Sequence, residues 1–259
     1  LNDLGVETLI VIGGDGTLSA AMQLVSYGIN IVGVPKTIDN DLLVTDRTFG
    51  FSTAISVVVE AIDKLKTTAA SHDRIFFVET MGRGSGWLAL YSGVAAEADM
   101  ILLPEFEFSY QKIIERIREN REKGKSYQIV VVAEGAKING EKVYKAKMKK
   151  QASLFGGISD QIMKEVADEL CEDFEMRNIV LGHIQRGGAP NAEDRILAQR
   201  FGEAAVQAVI NKKFGKMVAL KGDDIVLEDI KSAVDHIKAV NNDHYLVKVA
   251  RNMGISFGD

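Results

Sequence analysis

The chain has 259 residues, 46% hydrophobic and 26% charged, with a formal net charge of −5. This is an ordinary globular composition, with enough chain for one large core or two smaller ones. Mild acidity argues against broad nucleic-acid binding, the single cysteine, Cys171, excludes an internal disulfide framework, and no apolar run reaches the roughly 18 residues of a membrane span. The opening Leu1-Asn2-Asp3-Leu4 has no basic region and does not read as a signal peptide. A reducing, cytoplasmic setting is the expectation.

Short runs that are apolar on both faces predict strands at Leu9–Ile12, Ile31–Val34, Ile75–Val78, Met100–Leu102, Ile129–Ala133, Ile179–Leu181 and Met217–Leu220, as in a parallel sheet covered on both sides. Helical patterns lie between them. Thr17–Tyr27 runs up to Gly28, a candidate left-handed cap. Ser52–Ala70 and Gly86–Ala96 follow, then Tyr110–Lys123 behind Ser109 as N-cap. Ile158–Glu172, Asn191–Asn211, Glu228–Ala239 and His244–Asn252 complete the set. Such alternation predicts an α/β fold with open parallel sheets and helices on both faces. The Asn139-Gly140 pair between short alternating runs predicts a β-hairpin, and the five lysines of Lys142–Lys150 read as a solvated face. No linker or composition shift places a domain boundary.

Two loops carry the chemistry. Gly13-Gly14-Asp15-Gly16-Thr17 follows the first strand. Its glycines let backbone approach a ligand, and the free N–H groups of the next helix favour an anion. Asp15 would repel phosphate unless a cation bridges, and Mg²⁺ prefers one or two carboxylates plus phosphate oxygens. The run is neither a Walker loop nor a dinucleotide fingerprint. The second loop, Pro35-Lys36-Thr37-Ile38-Asp39-Asn40-Asp41, follows the second strand, which Pro35 is expected to stop. In extended geometry Thr37, Asp39 and Asp41 would share a face. One carboxylate could then accept a hydroxyl proton while the other orients or helps to hold metal. Together the loops describe a phosphoryl-transfer site.

These segments occur in order with Glu79-Thr80-Met81-Gly82-Arg83 and Leu181-Gly182-His183-Ile184-Gln185-Arg186-Gly187-Gly188. The set resembles the 6-phosphofructokinase family over nearly the whole chain. The resemblance implies transfer of a phosphoryl group to the 1-hydroxyl of fructose 6-phosphate, with Mg²⁺, on two three-layer αβα domains. It assigns donor binding to 1–50 plus 185–235 and sugar binding to 51–184 plus 236–259. It also implies site roles. Asp15 is the Mg²⁺-associated carboxylate, and Gly14, Gly16 and Thr17 contact the nucleotide phosphates. Asp39 is the base, with Thr37 and Asp41 beside it. Met81, Gly82 and Arg83 lie along the sugar and the transferred group, and Glu134 binds sugar hydroxyls. Arg74, Arg177, His183 and Arg186 hold the 6-phosphate, for which arginine offers a planar fork of donors. Taken singly, each arginine would read as a surface charge. In the family Arg74 and Arg177 come across a subunit interface, which implies a homo-oligomer, a tetramer built from dimers. Arg195 belongs to the same signature but is expected to pair with Glu193 or Asp194. Lys66, Asp99, Lys123 and Lys125 fall where effector-binding residues occur in bacterial members.

Two donors stay open. Gly16 is the ATP-type residue, because an Asp there would crowd and repel an α-phosphate. Lys36 is usual in pyrophosphate users, though one ATP-dependent branch combines Gly with Lys and this chain resembles it. ATP is favoured on steric grounds. The glycine loop also occurs in NAD kinases and lipid kinases, but the second loop and Gly182–Gly188 are not expected there. A non-catalytic regulatory subunit is the remaining alternative, against which Asp15, Asp39 and Arg83 all stand. Family members begin with a further strand and donor-binding loop, so the resemblance leads us to expect that these 259 residues alone lack part of the donor site and are unstable or inactive.

Overall fold

The computed structural model describes residues 4–138, 141–142, 157–170 and 174–259. The chain divides into two compact units, one from Leu1–Thr53 and Gly188–Lys238, the other from Ala54–Gly187 and Ala239–Asp259. In chain order the first unit holds β1 (Thr8–Gly13), α1 (Asp15–Val25), β2 (Asn30–Thr37), β3 (Phe49–Gly50) and the start of α2 (Phe51–Ser71). The second continues α2 and adds β4 (Arg74–Thr80), α3 (Trp87–Ala95), β5 (Met100–Leu102), α4 (Tyr110–Glu122) and β6 (Gln128–Ala133). It goes on with β7 (Lys137–Ile138), β8 (Glu141–Lys142), α5 (Gly157–Leu170), β9 (Glu175–Val180) and a 3₁₀ turn at Gly182–Arg186. The first unit resumes with α6 (Ala192–Ile210), β10 (Lys216–Lys221), β11 (Asp224–Asp229) and α7 (Ile230–Val234), and α8 (Tyr245–Asn252) closes the second.

In the first unit the sheet runs β1-β2-β10-β11, with β3 beside β2. The pairs β1/β2 and β2/β10 are parallel, and β10/β11 is antiparallel. Successive residues point to opposite faces. Ile31, Met217 and Ala219 therefore meet Leu18, Ala21, Ile230 and Ala233 from α1 and α7. Val32, Val34 and Val218 meet Leu197, Phe201 and Ala205 of α6. This explains why both faces of β2 and β10 had to be apolar, whereas Ile10 and Ile12 of the edge strand β1 stay exposed. The second unit repeats the plan with an all-parallel sheet, β5-β6-β4-β9. Ile75, Phe77, Val130 and Val132 pack on Ile113, Ile117, Ile162 and Val166 of α4 and α5. The alternate residues Phe76, Val78, Ile101 and Val131 are buried on the other face, where α3 lies against β5 and β6.

Ser109 caps α4 by accepting from the Lys112 amide at 3.3 Å, and Asn191 caps α6 by accepting from Asp194 at 3.0 Å. Gly28 takes φ 81° just past α1. Three expectations change. β2 does not stop at Pro35 but runs to Thr37, because Lys36 and Thr37 find a further parallel partner in Phe49 and Gly50. The helix expected over Glu228–Ala239 shrinks to α7. Asp224–Asp229 pairs instead as an edge strand on β10, and Ile237 leaves the helix to bridge Leu42. Arg195 pairs with neither acid: its Nε donates to the Pro190 carbonyl at 2.8 Å, Glu193 pairs with Arg47, and Asp194 accepts the Thr53 amide at 2.7 Å. β7 and β8 pair antiparallel around the expected hairpin. Asn139-Gly140 and the rest of the lysine run after Lys142 lie outside the described residues.

Candidate active site

Apart from Arg74 and Arg177, the candidate residues fall into two clusters, one in each unit. In the first unit, parallel pairing aligns Gly13 with Pro35, so the two chemistry-bearing loops leave neighbouring strands side by side, about 4.8 Å apart. They touch: a Cβ built on Gly14 would lie 3.2 Å from Cβ of Thr37. Gly14 is the N-cap of α1, and its carbonyl accepts the first helical bond from Leu18 at 3.0 Å. Asp15, Gly16 and Thr17 thus form the opening turn, where free N–H groups and the helix dipole favour an anion. Gly16 is exposed, and a Cβ there would meet nothing within 4 Å. Asp15 is half-buried, and Lys36 is exposed at the end of β2.

The shared face expected for Thr37, Asp39 and Asp41 does not form. Extended backbone ends at Thr37, the chain bends at Ile38–Asp39, and Asn40 takes a left-handed φ of 51°. The Thr37 hydroxyl accepts the Asp39 amide at 3.1 Å, a local turn that competes with strand geometry. Asn40 suits the left-handed position, and its Oδ1 accepts the buried Thr48 amide at 3.0 Å. The Thr48 hydroxyl donates to the Thr37 carbonyl at 2.8 Å. Asp39 and Asp41 are 8% and 4% exposed, which reads as a held loop rather than a solvated Asx-rich one.

In the second unit, β4 ends in Thr80 and leads into Met81-Gly82-Arg83, where Gly82 has φ 141° and Arg83 φ 53°. Oε1 of Glu134, just past β6, accepts the amides of Gly82 at 3.2 Å and Arg83 at 2.7 Å. Gly135 has to be glycine for the same turn, since a Cβ there would lie 2.0 Å from the Arg83 carbonyl oxygen. Met81 donates its amide to Oε1 of Gln185 at 3.1 Å. Gln185 is buried in the 3₁₀ turn that carries His183 and Arg186. Residues three apart eclipse on a 3₁₀ helix, so His183 and Arg186, both exposed, share one side of it. The structure therefore brings together Met81, Gly82, Arg83, Glu134, His183 and Arg186.

It does not bring Arg74 and Arg177 to that cluster. Both stand near the opposite ends of their strands, with Arg74 aligned to Glu175 and Phe76 to Arg177. Along β4 the separation from Thr80 is about 20 Å at ~3.3 Å per residue. Glu175 links the two arginines. Its Oε1 lies 3.1 Å from Arg74 Nε and pairs with Arg177, and the Arg74 hydrogen bond holds its carboxyl below the usual range.

Two residues went unassigned in the sequence reading, Glu79 and Gln185. Glu79 is 7% exposed, and its Oε2 accepts the Ser159 amide at 2.9 Å and hydroxyl at 2.8 Å, capping the start of α5. Burial pushes its carboxyl up, the Glu134 charge adds to this, and the bonds from Ser159 and the Ile158 amide oppose it. Both partners lie far off in sequence, so local pattern carried no signal for either role. Of the effector positions, Asp99 pairs with Lys125 and accepts the Ile129 amide at 2.8 Å; with Lys66 they line a cavity of about 200 Å³.

No helix among the described residues is long and apolar enough to cross a membrane. The phosphofructokinase sequence model matches residues 1–209. ATP-dependent 6-phosphofructokinase 2 of Clostridium perfringens (strain 13 / Type A) is 47% identical over 258 residues, 98% of this chain and 70% of that protein. A pyrophosphate–fructose 6-phosphate 1-phosphotransferase of Amycolatopsis methanolica is also 47% identical, over 95% of this chain and 72% of its own length. The T-state structure of Pichia pastoris phosphofructokinase matches with a TM-score of 0.77 at 34% identity, covering 97% of this chain and 28% of that one. Matched in sequence over residues 1–209 and in fold over nearly its whole length, the chain belongs to the phosphofructokinase family.

Proposed function

We propose that this chain transfers the terminal phosphoryl group of ATP to the 1-hydroxyl of fructose 6-phosphate, a cytoplasmic step of glycolysis, with Asp39 as general base. The hydroxyl oxygen attacks the γ-phosphorus, the bond to the bridging oxygen breaks, ADP leaves, and the hydroxyl proton passes to the Asp39 carboxylate. The observation that carries this reading is the contact between Gly14 and Thr37, which sets a phosphate-binding helix start beside the loop of Asp39 and Asp41. Gly14, Gly16 and Thr17 hold the donor phosphates, Lys36 reaches the transferred group, and Thr37 and Asp41 orient Asp39. Mg²⁺, when bound, neutralises charge on the phosphate oxygens. Asp15 fits an ion held by one carboxylate and by phosphate and water oxygens; no cluster of three His, Cys, Asp or Glu side chains suited to a metal occurs among the described residues.

The first unit takes the donor and the second the sugar phosphate, through Met81, Gly82, Arg83, Glu134, His183 and Arg186. The strand-end position of Arg74 and Arg177 supports a homo-oligomer in which a second copy brings these arginines to the 6-phosphate. Pyrophosphate is the second reading for the donor, favoured by exposed Lys36 and by the Amycolatopsis relative. The open space at Gly16 favours ATP, whose extra bulk needs it.

The test is Asp39→Asn in the full-length gene product, assayed with ATP and pyrophosphate side by side. The kcat should fall by about 10²–10⁴-fold with sugar-phosphate binding retained. An unchanged kcat removes Asp39 as the base, and phosphorylation of NAD without activity on fructose 6-phosphate overturns the substrate.

A further inference from the structure

The segment from Asn40 to Thr48 has no helix or strand of its own beyond the Leu42 bridge, yet it follows Asp39 directly and has to be held. Part of the holding comes from nearby in sequence, through Asn40 and Thr48. Part comes from β10, where the Asp46 amide donates to the Leu220 carbonyl at 2.9 Å and the Leu220 amide to the Thr45 hydroxyl at 3.0 Å. The rest comes from α7 and the stretch after it. The Leu43 amide donates to the Ala233 carbonyl at 3.2 Å and the Lys238 amide to the Asp41 carbonyl at 2.8 Å. The Lys238 side chain reaches over the segment, and its Nζ donates to the carbonyls of Thr45 at 2.9 Å and Asp46 at 2.8 Å.

We infer that Lys238 is a positioning residue for the Asp39 loop, one that fastens Asp41 through its amide and the Thr45–Asp46 turn through its ammonium. The inference rests on the reading of Asp39 as the base. One cation on a flexible stem with several donors can satisfy two adjacent carbonyls that have no ladder partner, and bonds from a charged donor are the strong ones. The charged groups around it are mixed: Asp46 and Asp41 favour the ammonium, and Lys221 and Arg47 oppose it. Burial outweighs the acids and lowers its pKa to about 8. A group that gives up hydration in this way is held by its specific contacts, not by surface charge.

The test compares Lys238→Met, Lys238→Arg and Asp39→Asn in the full-length gene product. Lys238→Met should lower kcat roughly tenfold to a hundredfold, the scale of one or two lost charge-assisted bonds, with KM for fructose 6-phosphate unchanged. Amide exchange should accelerate in residues 41–48. Lys238→Arg keeps the donors and should restore both readouts. Unchanged exchange in residues 41–48 of Lys238→Met overturns the inference, as does a loss confined to KM. If Asp39→Asn keeps its kcat, the base reading fails alone, since exchange in 41–48 decides the role of Lys238 without reference to catalysis.

Discussion

Glu134 has two possible jobs. The family resemblance makes it a ligand of sugar hydroxyls, whereas the geometry makes it the clamp of the Gly82–Arg83 turn. One oxygen accepts two amides, at 2.7 and 3.2 Å, and a hydrogen bond to a charged group contributes about 1.5–3 kcal/mol. The turn opposes this, since a left-handed residue such as Arg83 at φ 53° costs roughly 1–2 kcal/mol. Removing the clamp therefore leaves a strained turn with two unpaired amides. Glu134→Ala should forfeit about 2–3 kcal/mol of turn order, or roughly 30- to 150-fold in kcat/KM at ~1.4 kcal/mol per tenfold. Glu134→Gln keeps a neutral acceptor and should lose about half that free energy, roughly five- to tenfold. The assay pairs steady-state kinetics with amide exchange at Gly82 and Arg83. Both amides should exchange faster in Glu134→Ala and to an intermediate degree in Glu134→Gln. Unaltered exchange, with a raised KM for fructose 6-phosphate, would refute the clamp and leave Glu134 as a direct sugar ligand.

Gly16→Asp should fold as the parent does, because a Cβ at 16 meets no protein atom within 4 Å and a carboxylate suits the first turn of a helix. Its KM for ATP should rise far more than its KM for the sugar phosphate, and an unaffected KM for ATP would remove the steric argument for the donor. Glu79→Gln tests the buried carboxyl under α5. Glu79 titrates above its usual 4.5 in the fold, so the folded state holds a proton that the unfolded chain has released, and stability falls as pH rises through that window. The variant carries no such burden. Its stability relative to the parent should increase between pH 4 and pH 7 in urea unfolding, and a difference independent of pH would contradict the linkage.

Seven strands could be located from residues alone because each contains a short apolar run; the central ones, like Ile31–Val34, fill two cores at once and cannot alternate with polar residues. β11 escaped detection because its apolar run Ile225-Val226-Leu227 lies between the acids Asp223-Asp224 and Glu228-Asp229, although Ile225 and Val226 pack against different cores. In the site, the glycine loop after β1 was legible from its local pattern, and the segment after β4 only through the family resemblance. The face expected for Thr37, Asp39 and Asp41 was not, since the Thr37 hydroxyl bends the chain toward Asp39. Gln185 with Met81, Glu79 with Ser159 and Lys238 with Asp46 join positions 104, 80 and 192 residues apart. Such pairings are set by how strands stack, and neighbouring residues in the chain do not record them.

β2 does not keep its neighbours along its length. β10 pairs with it at Val32 and Gly33, and β3 pairs with it at Lys36 and Thr37. The eleven residues that join Thr37 to Phe49 meanwhile bond to Leu220 on β10. Both ends of that stretch and its middle are thus tied to the sheet in fixed register. Adding or deleting one residue there would pull Phe49 away from Lys36 or Asp46 away from Leu220, and no local adjustment could keep both. Side chains in this stretch can vary within the space that they have, but its length is a fixed dimension of the fold, as rigid as the spacing of the strands themselves.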